Sequence, residues 1–265
     1  MQSSTYSFED ITLLVTHYNR SSSLERLLKS FKDLGFCFGE IVVSDDGSRI
    51  EHLDKVKSLV AEFNARLITT SVNKGLGNNI NKGQDNIVTS YTLYVQEDFV
   101  PQPAFLSHLI DGYKIIKEDG HWDLISFYAY EKYPYAKPYK LGFSERVFKV
   151  APWYTNNLKF YMYSDHPHLR KSSFLKDIGR YVEGKNVDIT EMQMSLLFIK
   201  RGGRSLMYDD HYSLFEQANS EAEPSTASHR KSWFSEASNP NLFKVLKMIY
   251  ARYKFLKLNV QLIFR

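Results

Sequence analysis

The sequence predicts an α/β protein built on a mostly parallel sheet with helices on both faces, and three observations carry that expectation. Five short runs rich in Val, Ile, Leu, Thr and Tyr recur along the first half, at residues 11–16, 40–44, 66–70, 91–96 and 122–127. Between them lie stretches of crossover length with helical spacing, such as Leu24, Leu27, Leu28 and Phe31. Polar or Gly-rich sequence then follows the strand runs: HYNR at 17–20, DDGS at 45–48, NKGLG at 73–77 and QED at 96–98. In an alternating βαβ chain, ligands bind beyond the C-terminal strand ends, so these exits are where chemistry is expected.

Composition narrows the class. With 265 residues, 43% hydrophobic and 24% charged, the chain has the apolar content of an ordinary globular protein with a large core. A single cysteine, Cys37, excludes an intramolecular disulfide and a multi-cysteine metal site, and fits a reducing compartment. The first residues lack a basic n-region and an apolar h-region, and no apolar run approaches the roughly 18 residues of a membrane span. A cytoplasmic protein is the expectation. The net charge of +4 is unevenly placed: residues 240–265 hold six Lys/Arg and no acid, leaving 28 basic against 30 acidic residues elsewhere. A body of slightly negative charge disfavours nucleic acid as a partner.

Each polar exit allows two readings. Glu97 and Asp98 end an apolar strand and face the mouth of the sheet, where a hard divalent cation with a diphosphate would compensate them. They could equally cap the next helix and pair with a Lys or Arg. Asp45-Asp46-Gly47-Ser48 makes a turn, or places a carboxylate beside a base or ribose. The glycines of residues 73–83 let the backbone pass close to a ligand, but match neither GxxxxGK[ST] nor GxGxxG, so neither an ATPase nor a dinucleotide enzyme is indicated.

Taken in order, ITLLVTHYNR, EIVVSDDGS, NKGLGNNINKG and YVQEDFVP resemble the inverting glycosyltransferases of family 2, which have the GT-A fold. Further on, HPHLRKSSFLKDIG (166–179) resembles their acceptor-side segment, and DITEMQMSLLFIKRGGR (188–204) resembles the helix carrying their catalytic base. The resemblance implies a domain at 1–239, with a nucleotide-sugar half (1–100) and an acceptor and base half (101–239), followed by a C-terminal helix at 240–265. Thr16, Tyr18 and Asp46 would border the base and ribose of a nucleoside diphosphate, and Asn73, Lys74, Gly75 and Gly77 would line it. Asp98 would hold Mn²⁺ or Mg²⁺; Glu97, in a Gln-Glu-Asp sequence where the family commonly has Asp-x-Asp, and His211 are further metal candidates.

Inverting transfer needs a general base on the acceptor hydroxyl, opposite the departing diphosphate. The resemblance assigns this to Glu191, with Asp188 its rival. A capping role competes: with Asp188 as N-cap, Glu191 stands at N3. The aromatic, Pro-containing segment 130–145 is an expected lid or acceptor wall. Trp153 and Tyr154 would be core residues or sugar platforms. In the tail, Leu242, Leu246, Ile249, Tyr253, Leu256 and Val260 follow 3- and 4-residue steps among Lys244, Lys247, Arg252, Lys254 and Lys257. That is a basic amphipathic helix, suited to the inner face of a membrane, to the domain itself or to a homodimer partner.

The expected activity is transfer of a sugar from a nucleotide-sugar donor, a UDP-sugar by preference, to a glycan or lipid-linked saccharide in surface polysaccharide synthesis. A sugar nucleotidyltransferase would carry glycines after the first strand that HYNRSSS lacks. A non-catalytic nucleotide-sugar or glycan-binding module is the other alternative, for which the altered Gln-Glu-Asp sequence argues.

Overall fold

The computed structural model describes residues 5–151, 153–219, 223 and 240–264, leaving aside the side chains of 240–245, 247 and 264. Along the chain come β1 (Tyr6–His17), α1 (Ser21–Asp33), β2 (Phe36–Asp45), α2 (Ile50–Glu62), β3 (Arg66–Ile68), α3 (Leu76–Gln84), β4 (Tyr91–Gln96), β5 (Phe99–Pro101) and α4 (Phe105–Glu118). The second half adds β6 (Leu124–Ser126), β7 (Ala136–Pro138), β8 (Phe143–Arg146), a 3-10 turn (Asn157–Phe160), β9 (His168–Lys171), α5 (Phe174–Asp177), α6 (Val187–Lys200), β10 (Ser205–Tyr208), β11 (Phe215–Gln217) and α7 (Pro240–Phe264).

The strands form a nine-stranded sheet in the order β3-β2-β1-β4-β9-β6-β10-β8-β7. Its first four strands are parallel, as the alternating pattern predicts. The run ITLLVTH makes β1 central because every residue from Ile11 to His17 is apolar, hydroxylic or imidazole, none is Asp, Glu, Lys or Arg, and all seven are buried. Alternate residues serve opposite faces. Leu13 and Val15 join α1, α2 and α4 in one core, whereas Leu14 joins α3 and α6 in the other. The order runs from β1 outward to β2 and β3, then returns to β4 on the other side, which opens a crevice between the ends of β1 and β4.

Several elements depart from expectation. Strand 66–70 stops at Ile68, and the next residue, Thr69, turns its hydroxyl to donate to the Asp45 carboxylate at 2.7 Å. The segment 166–179 supplies β9, which runs antiparallel between β4 and β6. Residues 130–145 are no free lid: from residue 136 they enter the β7–β8 pair at the sheet edge. Trp153 is exposed rather than in the core, and Tyr154 packs on Tyr135. A second, two-stranded sheet joins β5 to β11 and folds residues 215–219 back over the exit of β4.

Asn186, not Asp188, caps α6: its side chain accepts from the Ile189 N–H at 2.9 Å. Glu191 therefore lies beyond N3 and is free of the capping box. Helix α1 lacks a cap from its own N-terminal neighbour, and Glu223 provides one across the fold. Its carboxylate accepts from the Ser22 and Ser23 N–H groups, both at 2.8 Å, and from the Ser23 hydroxyl.

Helix α7 has both faces in use or on offer. Leu258 is buried with Phe160 and Leu196, and Phe255 and Leu262 pack against that cluster. The predicted stripe of Leu246, Ile249, Tyr253, Leu256 and Val260 lies exposed on the other side, while the Leu242 side chain falls outside the described residues. Among the described residues no helix is long and apolar enough to cross a membrane.

The β1–β2 register shifts between Phe8 and Thr12, and the bulge presses the Glu9 carbonyl oxygen to 2.0 Å from where a Cβ on Gly39 would stand. Only glycine fits opposite this bulge. Gly39→Ala is expected to lower the unfolding free energy by about 1–3 kcal/mol, measured by urea denaturation.

Candidate active site

A cleft of about 520 Å³ opens at the β1/β4 crevice. Thr16 stands near the end of β1 and Tyr18 and Arg20 just past it, Asp46 follows β2, Asn73 and Gly75 precede α3, and Gln96 ends β4 with Glu97 and Asp98 after it; all of them line the cleft. Behind this lining, Asp45 fastens three strand ends. Its carboxylate accepts from His17 Nδ1 at 2.8 Å, from the N–H groups of Gly47 and Ser48 at 3.1 Å, and from the Ser48 and Thr69 hydroxyls. Burial alone would raise the Asp45 pKa, but these hydrogen bonds outweigh it and hold the carboxyl well below its usual range. His17 Nε2 in turn accepts from the Arg20 N–H at 3.2 Å, which places the ring proton on Nδ1.

Asp46 grips the next loop: its two oxygens accept from the Lys74 and Gly75 N–H groups at 2.9 and 2.8 Å. Burial nonetheless raises its pKa. Gly47 makes the turn just after the two acids, with φ +69° and a Cβ position only 2.5 Å from the Val72 carbonyl carbon. Lys74 is exposed and meets Asp46 through its backbone, and Gly77 packs on the Val182 carbonyl; neither side faces the cleft.

At the end of β4, Arg20 Nη1 lies 3.2 Å from Asp98 Oδ2 and 3.6 Å from Glu97 Oε1. Gln217, carried there by β11, donates to the same Asp98 oxygen at 2.8 Å. Burial, with the charge of Asp98 beside it, pushes Glu97 up to about 8 against the pull of Arg20. Near neutral pH Glu97 keeps its proton, and Arg20 is balanced by Asp98. Asp98 Oδ1 is buried and has no hydrogen-bond partner. Among the described residues no group of three or more His, Cys, Asp or Glu could cage a cation. One free carboxylate oxygen suits Mn²⁺ or Mg²⁺ sharing its shell with a diphosphate, rather than an ion held by protein alone. His211 lies against the Tyr212 ring, tilted at 41°, and lines neither cavity.

On the far wall, Glu191 and Asp188 separate the cleft from a second cavity of about 300 Å³ and line both. Glu191 Oε1 accepts from the Asp165 N–H at 3.4 Å, and the two carboxyls hydrogen-bond each other. Burial and the charge of Glu191 drive the Asp165 pKa far up. Burial also raises Glu191, but less, because it accepts from Asp165. Asp165 thus holds the shared proton and Glu191 the charge. Gln96 Nε2 steadies Asp165 at 3.0 Å. Arg20 and Gln217 were not legible as site residues: Gln217 arrives through a three-residue strand pairing 119 positions from Asp98.

A mostly parallel sheet thus carries paired acids at its switch point and faces a carboxylate on the opposite wall. The sequence profile of Glycosyl transferase family 2 matches residues 12–179, more than half of the chain, which belongs to that family and has its GT-A fold. Among solved structures, residues 1–349 of S. aureus TarS in complex with UDP-GlcNAc align over 95% of this chain and 72% of theirs, at TM-score 0.61 and 18% identity. A further crystal structure of S. aureus TarS 1–349 aligns over 78% of this chain and 60% of its own, at TM-score 0.56 and 21% identity. The mannosyltransferase PcManGT from Pyrobaculum calidifontis, in complex with GDP-Man and Mn²⁺, aligns over 78% and 57%, at TM-score 0.51 and 14% identity. The chain spans about 36% of the longer TarS structure. No curated protein sequence matches it.

The Asp45 hub is testable through pH. A carboxyl depressed by folding stabilises above its unfolded pKa of about 3.8, and that stability is lost as pH falls toward the folded value. Asp45→Asn is expected to cost about 3 kcal/mol at pH 7. In chemical denaturation at a series of pH values, its deficit against wild type should narrow below about pH 4.

Proposed function

We propose that this family 2 glycosyltransferase moves a sugar, with inversion and with a divalent cation, from a UDP-sugar to a saccharide or lipid-linked saccharide acceptor in surface polysaccharide synthesis. The observation that carries the reading is the placement of Glu191 between two cavities. A donor in the cleft and an acceptor in the neighbouring cavity would meet at that carboxylate.

In this reading the first half of the chain holds the donor and the second half the acceptor. Thr16, Tyr18 and Asp46 border the base and ribose, while Asn73 and Gly75, at the start of α3, stand near the diphosphate, where a helix N-terminus favours negative charge. Asp98, through Oδ1, would hold Mn²⁺ or Mg²⁺, which supplies charge stabilisation at the leaving diphosphate when bound. Arg20 adds fixed positive charge at the same end. Glu191 takes the proton from the acceptor hydroxyl as its oxygen forms a bond to the anomeric carbon. The bond from that carbon to the diphosphate breaks on the opposite side, and its electron pair leaves with the phosphate. Protonated Asp165 keeps the Glu191 carboxylate oriented. The second half also offers the Tyr130 and Tyr133 side chains as acceptor walls.

The exposed stripe of α7 supports peripheral attachment to an anionic membrane surface: Arg252 and Lys257, both exposed, flank Ile249, Tyr253, Leu256 and Val260. A lipid-linked acceptor would then be presented beside the cavities.

Three measurements test these readings. With a panel of UDP- and GDP-sugars and Mn²⁺, Glu191→Gln should retain donor binding within about threefold while donor turnover falls by at least about 10²-fold. Asp98→Asn should erase the Mn²⁺ dependence of UDP affinity. Unchanged turnover in the first variant would leave a binding module as the better description. In vesicle sedimentation, paired charge reversal at Arg252 and Lys257 should release the protein from vesicles rich in anionic lipid, at about 1 kcal/mol per residue. Absence of vesicle binding together with a concentration-dependent dimer would assign the stripe to a second copy instead.

A further inference from the structure

The second cavity holds a buried cation without a counter-charge. Arg146, on β8, is 3% exposed and lines the cavity. Its Nη1 donates to Ser126 Oγ at 2.9 Å and to the Met162 carbonyl at 3.3 Å, and its Nε is buried without a partner. Among the described residues no carboxylate lies within ion-pair distance of it.

The other buried guanidinium groups are accounted for. Arg20 faces Asp98 and Glu97. Arg170 donates to Gln84 and Tyr181, is enclosed by the rings of Tyr94, Phe174 and Tyr181, and lines neither cavity. Burial lowers Arg146 to about 10, so it remains charged near neutral pH. Burial, and then the Arg146 charge, holds His166 at the same cavity down to about 3, so that ring is neutral and supplies no further positive charge. An unmatched buried charge is costly, and a guanidinium fork matches a phosphate or carboxylate in a bidentate pair.

Glu191 and Asp188 line this cavity and the donor cleft alike, and only Arg146 is both cationic and buried in the lining of the smaller cavity. The guanidinium draws an anion, and the carboxylates repel one and suit a hydroxyl. We propose that the acceptor is a hydroxylated compound bearing a phosphate or carboxylate group, which Arg146 binds while a neighbouring hydroxyl faces Glu191. This deepens the glycosyltransferase reading and rests on it. At about 300 Å³ the cavity takes a single sugar or polyol unit with its anionic group, at the small end of ligand sites.

The test is ligand-observed NMR on the full chain saturated with UDP and Mn²⁺, titrated with glucose 6-phosphate, glucuronate and glucose. Binding of UDP, measured first, reports on the donor reading separately. Wild type is expected to bind at least one of the two anions about tenfold more tightly than glucose, with phosphate and carboxylate distinguished by the two arms. Arg146→Met should reduce that preference below about threefold without changing UDP affinity, and Arg146→Lys should retain part of it. Equal binding of charged and uncharged probes by wild type would overturn the proposal, as would an unchanged preference in Arg146→Met. Should Arg146→Met fail to fold, a wild-type crystal soaked in tungstate decides: the anion on the Arg146 guanidinium supports the proposal, and an anion confined to the donor cleft defeats it.

Discussion

The cleft depends on one buried carboxylate. Asp45 gathers the end of β1 through His17, the turn after β2 through Gly47 and Ser48, and the end of β3 through Thr69. A charge at zero exposure is tolerable only when nearly every lone pair is used, and here they are. Because Asp45 is fixed, its neighbour Asp46 is free to face the cleft and hold the loop before α3. The two adjacent acids thus divide structural and ligand-facing duties across one peptide bond.

Three acidic pairs crowd the same region and are settled by three different means. Asp45 is satisfied by hydrogen bonds. Asp98 is balanced by Arg20, with Glu97 neutral beside it. Asp165 and Glu191 share a proton across the wall between the two cavities. The result is a site with a balanced Arg20–Asp98 ion pair at the end of β4 and a carboxylate pair sharing a proton on the opposite wall.

The parallel half of the sheet was legible because a buried parallel strand leaves an unbroken apolar run, and the polar exits mark its C-terminal ends. Thr16, Tyr18, Asp46, Asn73, Gly75, Glu97, Asp98, Asp188 and Glu191 were readable for that reason, or through family resemblance, and the structure brings all nine to the cleft. His211, Lys74 and Gly77 share the same local sequence character but do not line it, since neighbourhood in sequence does not fix where a side chain points. The antiparallel strands β8 to β11 have three or four residues each, too few for alternation to register. Arg20 and Arg146 escaped notice because an arginine's importance lies in what surrounds it. The helix start at 187 was misread for a related reason: Asp188 and Asn186 are both good caps, and only backbone geometry chooses between them.

The clasp of Glu223 on α1 has a further consequence for how the molecule assembles. An arm some 200 positions downstream closes the first turn of an N-terminal helix, and the same arm carries Gln217 to Asp98. During synthesis the leading half can pair its strands while its mouth stays unfinished, since loop closure over such a span comes late. Gln217 at the cleft and Glu223 at the start of that early helix thus both come from the last part of the chain before α7.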